Sequence, residues 1–264
     1  MTILRRDDVS LYSDITAGTD PAIVLVHGWC CDHSYCVAQV DHFSGQGRRV
    51  VAVDLRGHGR SDKPQQTYSM QVFADDVAWT CGELGLVKPI VVGHSMGGIV
   101  AFELAARYPD LPGAIVMLDA AVARPAASRA AVPALIEMLG GANFADILRD
   151  FVDRSLFIST DDPARKARIV DAMASTPQHV AVAAMQGLQD YDPEPARGRV
   201  SVPSLYIAAD EPQPRSDMAL LRALVPHLQY GQTVGSGHFC QMEVPEQVNA
   251  MIDRFLAITV FAEG

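Results

Sequence analysis

Apolar residues along this chain follow two alternating rhythms. Five short runs are continuously apolar and rich in β-branched residues: AIVLVHG (22–28), RVVAVDLRG (49–57), PIVVGHS (89–95), AIVMLDA (114–120) and PSLYIAAD (203–210). A strand covered on both faces reads this way, because successive side chains point to opposite faces and both faces must be apolar. Between the runs the spacing changes to three and four. MQVFADDVAWTCGELG sets Val72, Phe73, Asp76, Val77, Thr80 and Leu84 on one stripe, and GIVAFELAARYP carries Ile99, Phe102, Leu104 and Ala105 before Pro109 ends the helix. Strand and helix alternate, which predicts an α/β fold: a mostly parallel central sheet flanked by helices.

One region breaks the alternation. From the run that ends near Asp119 to the one that starts near Val202 there is no strand-like segment, and a loop of that length is rare inside a compact domain. Helix signals fill it instead. STDDPARKARIVDAM offers Asp161 or Asp162 as a cap with Pro163 in the first helical position, and STPQHVAVAAMQGL repeats the device with Thr176 and Pro177. NFADILRDFVDRSLF places Phe144, Ile147, Leu148, Phe151 and Ser155 on one stripe. The expected organisation is therefore a core formed by 1–121 and 200–264, with a helical lid, 122–199, inserted late in the sheet. The Ala/Pro-rich AAVARPAASRAAVPA and DYDPEPARGRV are its connectors.

Composition narrows the class. The chain has 264 residues, 49% hydrophobic and 20% charged, as in ordinary globular proteins with ample cores. A formal charge of −10 works against phosphate recognition, and RKAR (165–168) is the one basic cluster, so no nucleic-acid partner is expected. Neither a signal-peptide core nor a membrane-length apolar stretch is present, which predicts a cytoplasmic protein without a membrane partner. Five cysteines, an odd number, read as reduced thiols. Three of them lie in CCDHSYC (30–36) beside His27 and His33, but adjacent Cys30 and Cys31 cannot easily face one ion and no second ligand pair follows. No metal and no cofactor is predicted.

The chemistry centres on GHSMGG (93–98), between a strand run and a helix. Gly93-His94-Ser95-Met96-Gly97 is G-x-S-x-G in the setting of a nucleophile elbow, where a strained turn presents the serine and very small residues must flank it. The hydroxyl also stands at a helix N-terminus, whose free N–H groups favour developing negative charge.

Together, HGW after the first long strand, DLRGHGRSD after the second, GHSMGG, and GSGHFCQMEVPEQV near the end resemble the α/β-hydrolase superfamily over nearly the whole chain. The resemblance implies Ser95 as nucleophile and His238 as general base, since a serine needs an adjacent imidazole to take its proton. It implies the backbone amides of Trp29 and Met96 as oxyanion donors, with the Trp29 ring at the pocket floor. His27 and His58 stand where this superfamily's histidines shape loops. His33, His42, His179 and His227 lack motif context and are expected to be structural.

The third triad member is open. Asp119, closing AIVMLD, is the first choice; Glu211 and Asp210, in IAADEP, are its rivals. The expected activity is serine-dependent hydrolysis of an ester, lactone or related acyl bond in a small-molecule substrate. The apolar lid residues Phe144, Ile147, Leu148, Phe151, Phe157 and Met185, with no arginine at an obvious pocket position, point to a mostly apolar substrate. A second reading comes from GWCCDH (28–33), which resembles a stretch of the cofactor-free 3-hydroxy-4-quinolone 2,4-dioxygenases; Met96, where those enzymes tend to carry histidine, favours the hydrolase.

Overall fold

A computed structural model describes residues 1–261. The chain runs β1 (Thr2–Arg6), β2 (Val9–Ile15), β3 (Thr19–Val26), α1 (Val37–Gly45), β4 (Arg48–Val53), α2 (Met70–Glu83), β5 (Ile90–His94), α3 (Met96–Arg107) and β6 (Ala114–Leu118). Four helices follow without a strand: α4 (Ala126–Leu139), α5 (Phe144–Ser155), α6 (Pro163–Ala174) and α7 (Gln178–Asp190). The chain then completes β7 (Ser204–Ala208), α8 (Met218–Leu224), β8 (Gln229–Gln232), α9 (Cys240–Glu243) and α10 (Pro245–Thr259). One eight-stranded sheet has the order β1-β2-β4-β3-β5-β6-β7-β8, parallel from β4 to β8, with β1 and β2 joined antiparallel at one edge.

The five apolar runs are five of the six parallel strands, and their period of two explains their continuity. On β3, Ala22, Val24 and Val26 join the core layer containing Phe73 and Val77 of α2 and Ile99 and Phe102 of α3. Ile23 and Leu25 point the other way, to Phe43 of α1 and Val248, Ile252 and Phe255 of α10. All five side chains are buried among apolar neighbours, so neither face of the strand tolerates an unpaired polar residue.

Three strands have no counterpart in the apolar pattern. In TILRR, β1 alternates intermediate and exposed positions as an edge strand does, and β8, QYGQ, is four residues of the same kind. The hairpin β2 packs apolar residues around Ser13 and Asp14 and lacks a continuous run. The inserted helices begin partly as anticipated. Asp162 caps α6 through the Arg165 N–H, while Asp161 turns back to accept from the Ile158 N–H. Thr176 does not cap: α7 opens from Pro177 with no side-chain cap.

Candidate active site

The parallel order fixes where a crevice must form. From β3 the chain moves to β4 on one side and later to β5 on the other, so the loops leaving β3 and β5 diverge at the carboxyl edge of the sheet. That switch point is where open α/β sheets receive ligands. The loop after β3 delivers Gly28 and Trp29, the turn after β5 delivers Ser95, and Asp119 follows β6. Ala209 to Arg215 follow β7, and His238 arrives from beyond β8.

Ser95 has φ 53° and ψ −117°, in a region that non-glycine residues rarely occupy, at a cost of about 1–3 kcal/mol. Its N–H donates to the Leu118 carbonyl at 2.8 Å, which ties the elbow to the neighbouring strand. The turn is tight enough that a Cβ on Gly93 would lie 2.6 Å from the Gly98 nitrogen and closer still to the Gly97 carbonyl. A Cβ on Gly97 would collide with the Val26 and His27 carbonyl oxygens. The amides of Trp29 and Met96 on either side of this contact donate to no acceptor among the described residues.

His238 is buried, and its Nδ1–H donates to Asp119 Oδ2 at 2.6 Å. The same oxygen accepts from Arg215 Nε at 3.0 Å, and Oδ1 accepts from the Ala209 N–H at 3.2 Å. Burial pushes the Asp119 carboxyl up, opposed by Arg215 and that N–H. Burial, then Arg215, hold the His238 ring below the ordinary histidine range. The rival acids are occupied elsewhere: Glu211 Oε1 accepts from Arg215 Nη2 at 2.7 Å, and Asp210 Oδ2 accepts from the Gly235 N–H at 2.8 Å. Ser95 Oγ makes no hydrogen bond among the described residues, but Ser95 and His238 line one cavity of about 140 Å³.

Three other histidines hold loops. His27 Nε2 accepts from the Leu55 N–H at 3.0 Å, and its Nδ1–H donates to the Gly28 carbonyl. His58 donates to the Arg56 carbonyl, and burial lowers it to about 3. His94, also brought down to about 3 chiefly by burial, donates from Nε2 to the His238 carbonyl at 2.8 Å, a tie that the motif alone did not disclose.

The GWCCDH run is largely spent on local structure. Asp32 caps a short 3-10 turn through the Ser34 N–H, and His33 bonds Asp54 through both its backbone N–H and Nδ1. Asp32, His33 and Asp54 bring ligand-type atoms within 4.8 Å of one another, but Asp54 is already engaged by His33 and the Arg60 N–H. All five cysteines are free and buried; burial pushes the Cys240 thiol well up, two residues past His238.

The cavity wall is mostly apolar. Trp29 lies in its wall, edge-on to Phe151, with its indole N–H on the Ala181 carbonyl of α7 at 2.9 Å. Phe151, Leu156, Met173 and Met185 come from the inserted helices. Of the six apolar residues anticipated for this wall, Phe151 and Met185 line it, and Leu148 is packed at 0% exposure among the helices. The expectation of no pocket arginine fails: Arg124 and Arg215 both line the cavity. Neither has a sequence signal, because their approach depends on how α4 and the β7 loop fold back over the sheet. A larger groove of about 550 Å³ between α4 and α5 shares Phe151 but contains neither Ser95 nor His238.

A family model described as the alpha/beta hydrolase fold matches residues 21–245. The AB hydrolase superfamily protein YisY of Bacillus subtilis is 25% identical over 96% of this chain and 97% of its own length. The bifunctional esterase/perhydrolase DCH of Acinetobacter calcoaceticus is 39% identical over 46% of this chain and 44% of its own. A thermophilic esterase from Thermogutta terrifontis superposes with a TM-score of 0.83 at 26% identity, covering 94% of this chain and 93% of that one. With strand order, elbow and family match in agreement, the chain belongs to the alpha/beta hydrolase fold family.

Proposed function

We propose that the protein is a serine hydrolase cleaving an ester, lactone or related acyl bond of a small substrate. Esterases among its relatives and structural neighbours support hydrolysis. The observation that carries the reading is the 2.6 Å bond from His238 Nδ1–H to Asp119, at the cavity that the Ser95 elbow also lines. Asp119 holds the ring in the tautomer whose Nε2 lone pair can take a proton. Ser95 Oγ then attacks the substrate carbonyl as His238 Nε2 removes its proton, and the carbonyl electrons move onto oxygen. The free amides of Trp29 and Met96 receive that charge, each such donor typically contributing about 10²–10³ in rate. Collapse expels the alcohol, which takes the proton from His238, and water repeats the sequence on the acyl-serine. Ser95 Oγ, on the cavity that His238 also lines, is expected to close its hydrogen bond to Nε2 as substrate binds, since catalytic hydrogen bonds often tighten only then. In this reading α4–α7 form the lid, with a cavity wall that suits an apolar acyl chain.

The test is covalent. A fluorophosphonate should label wild-type protein at Ser95, and Ser95→Ala should lose both the label and the hydrolysis of short 4-nitrophenyl esters. Retained turnover in Ser95→Ala, with oxygen uptake on a 3-hydroxy-4-quinolone that depends on His238, would overturn the hydrolase reading in favour of the dioxygenase.

A pH profile adds a second check. A general base works unprotonated, so the rate rises as pH climbs through the His238 pKa, and a lowered pKa places that acid limb below about 6.5. Charged or titratable groups around the ring are Asp119, His94 and Arg215, with Glu211 behind Arg215. Arg215→Gln removes the cation that disfavours imidazolium, so the acid limb of kcat/KM should move to higher pH. A limb that stays put or moves down contradicts this electrostatic account.

A further inference from the structure

The two cavity arginines differ in one respect. Arg215 is matched by Asp119 and Glu211 and also donates to the Ser155 carbonyl. Arg124 has no such match among the described residues: its Nη2 donates to the Leu188 carbonyl, and Nε and Nη1 have no partner there. No carboxylate among the described residues pairs with it, although the chain carries ten more acidic than basic charges. Its charged neighbour is Arg129, another cation, itself bonded to the Tyr191 carbonyl; burial and Arg129 together lower the Arg124 guanidinium. Ser128, in the first turn of α4, also lines the cavity, and that helix begins without a side-chain cap.

A guanidinium partly withdrawn from water loses solvation that a bidentate oxyanion restores, and a carboxylate is the oxyanion that acyl compounds most commonly carry. Held in the wall of a mostly apolar cavity, it is poorly suited to an all-hydrocarbon substrate and well suited to one that ends in an anion. We propose that Arg124 is a specificity-determining residue that binds a free carboxylate on the substrate, at the far end of a short apolar segment from the acyl bond presented to Ser95. The substrate class is then a half-ester or a lactone bearing a carboxylate. The proposal rests on the hydrolase reading above and narrows it: the mostly apolar wall contacts the middle of the molecule, and the anion ends at Arg124.

The probes are 4-nitrophenyl half-esters of glutarate and adipate, each compared with its methyl-terminated counterpart, 4-nitrophenyl pentanoate or hexanoate. Ser95→Ala supplies the background rate. Wild type should favour the charged member of each pair in kcat/KM. Arg124→Gln should cut that charged-to-neutral ratio by about tenfold or more, chiefly through KM, as expected for a lost charge-assisted pair. Arg124→Lys, which keeps the charge and loses the fork, should retain part of the preference. No preference in wild type, or a ratio unchanged in Arg124→Gln, overturns the proposal.

A binding measurement separates this outcome from failure of the hydrolase reading. Calorimetric titration of monomethyl glutarate and methyl pentanoate into Ser95→Ala needs no turnover. Tighter binding of the charged ester, lost in Ser95→Ala/Arg124→Gln, upholds the carboxylate site even if no ester is hydrolysed. Equal binding of the two esters rejects the site even if both are hydrolysed. Should Arg124→Gln fail to fold, Arg124→Lys carries the decision: a charged-ester preference identical to wild type overturns the role of the guanidinium fork.

Discussion

Asparagine in place of Asp119 should lower kcat by about 10⁴-fold while leaving the protein folded, the loss a misdirected triad imidazole typically shows. The substitution suits the backbone, because Asp119 sits at φ 43° and asparagine is among the residues that tolerate that region. It changes what faces His238. A carboxylate oxygen can only accept, so Nδ1 must carry the proton and Nε2 is left free to take one from Ser95 in the proposed mechanism. An amide can instead offer its NH₂, holding the ring with its proton on Nε2, where it cannot act as base. Glu211→Gln weakens only the support behind Arg215, and Asp210→Asn touches a loop bond to Gly235, so both should cost far less. Steady-state kcat for the three variants, with thermal melts to check folding, decides the acid: a Glu211→Gln loss equal to that of Asp119→Asn would displace Asp119.

The second large effect is structural. Gly97→Ala would place a methyl against the Val26 and His27 carbonyl oxygens, backbone atoms at the exit of β3 that cannot rotate aside. Helix α3 must therefore move off the sheet, at a cost of about 1–3 kcal/mol or somewhat more. At roughly 2–4 °C per kcal/mol for a chain near this size, the melting temperature should fall by several degrees. The protein that still folds should also be slow, because the same shift separates the Met96 amide from that of Trp29. Gly82→Ala is the control of opposite sign: it lies exposed near the end of α2, where an added Cβ meets nothing within 4 Å. There alanine should stabilise by about 0.4–1 kcal/mol. Calorimetric melts of the two variants test the contrast, and a Gly97→Ala melt equal to wild type would show that the elbow has slack.

What the chain reveals on its own follows from how local each feature is. The buried parallel strands announce themselves because both faces need apolar residues, whereas β1 and β8 are edge strands with half their positions facing water. Ser95 is legible because a strained turn needs glycine at positions fixed relative to it. The choice among Asp119, Glu211 and Asp210 is not legible, since all three follow strands and what separates them is which one reaches His238 across 119 residues of chain. Arg124 and Arg215 are invisible for the same reason: arginine is common on surfaces, and its arrival in a cavity depends on how an inserted segment folds back.

Chain order has one more consequence. Ser95, Asp119 and His238 are all mounted at the ends of sheet strands or in the loops beyond them, whereas Arg124, Phe151, Met173 and Met185 lie between β6 and β7. That intervening stretch leaves the sheet after Asp119 and rejoins it at Ser204, beside β6 itself, so its two ends are neighbours whatever lies between them. On the proposed roles, the bond-breaking groups and most of the apolar wall therefore reside on separable parts of one polypeptide, with Trp29 and Arg215 contributing to the wall from the sheet loops. If so, evolution, or a recombination experiment, can exchange the inserted stretch wholesale and keep Ser95, Asp119 and His238 in register.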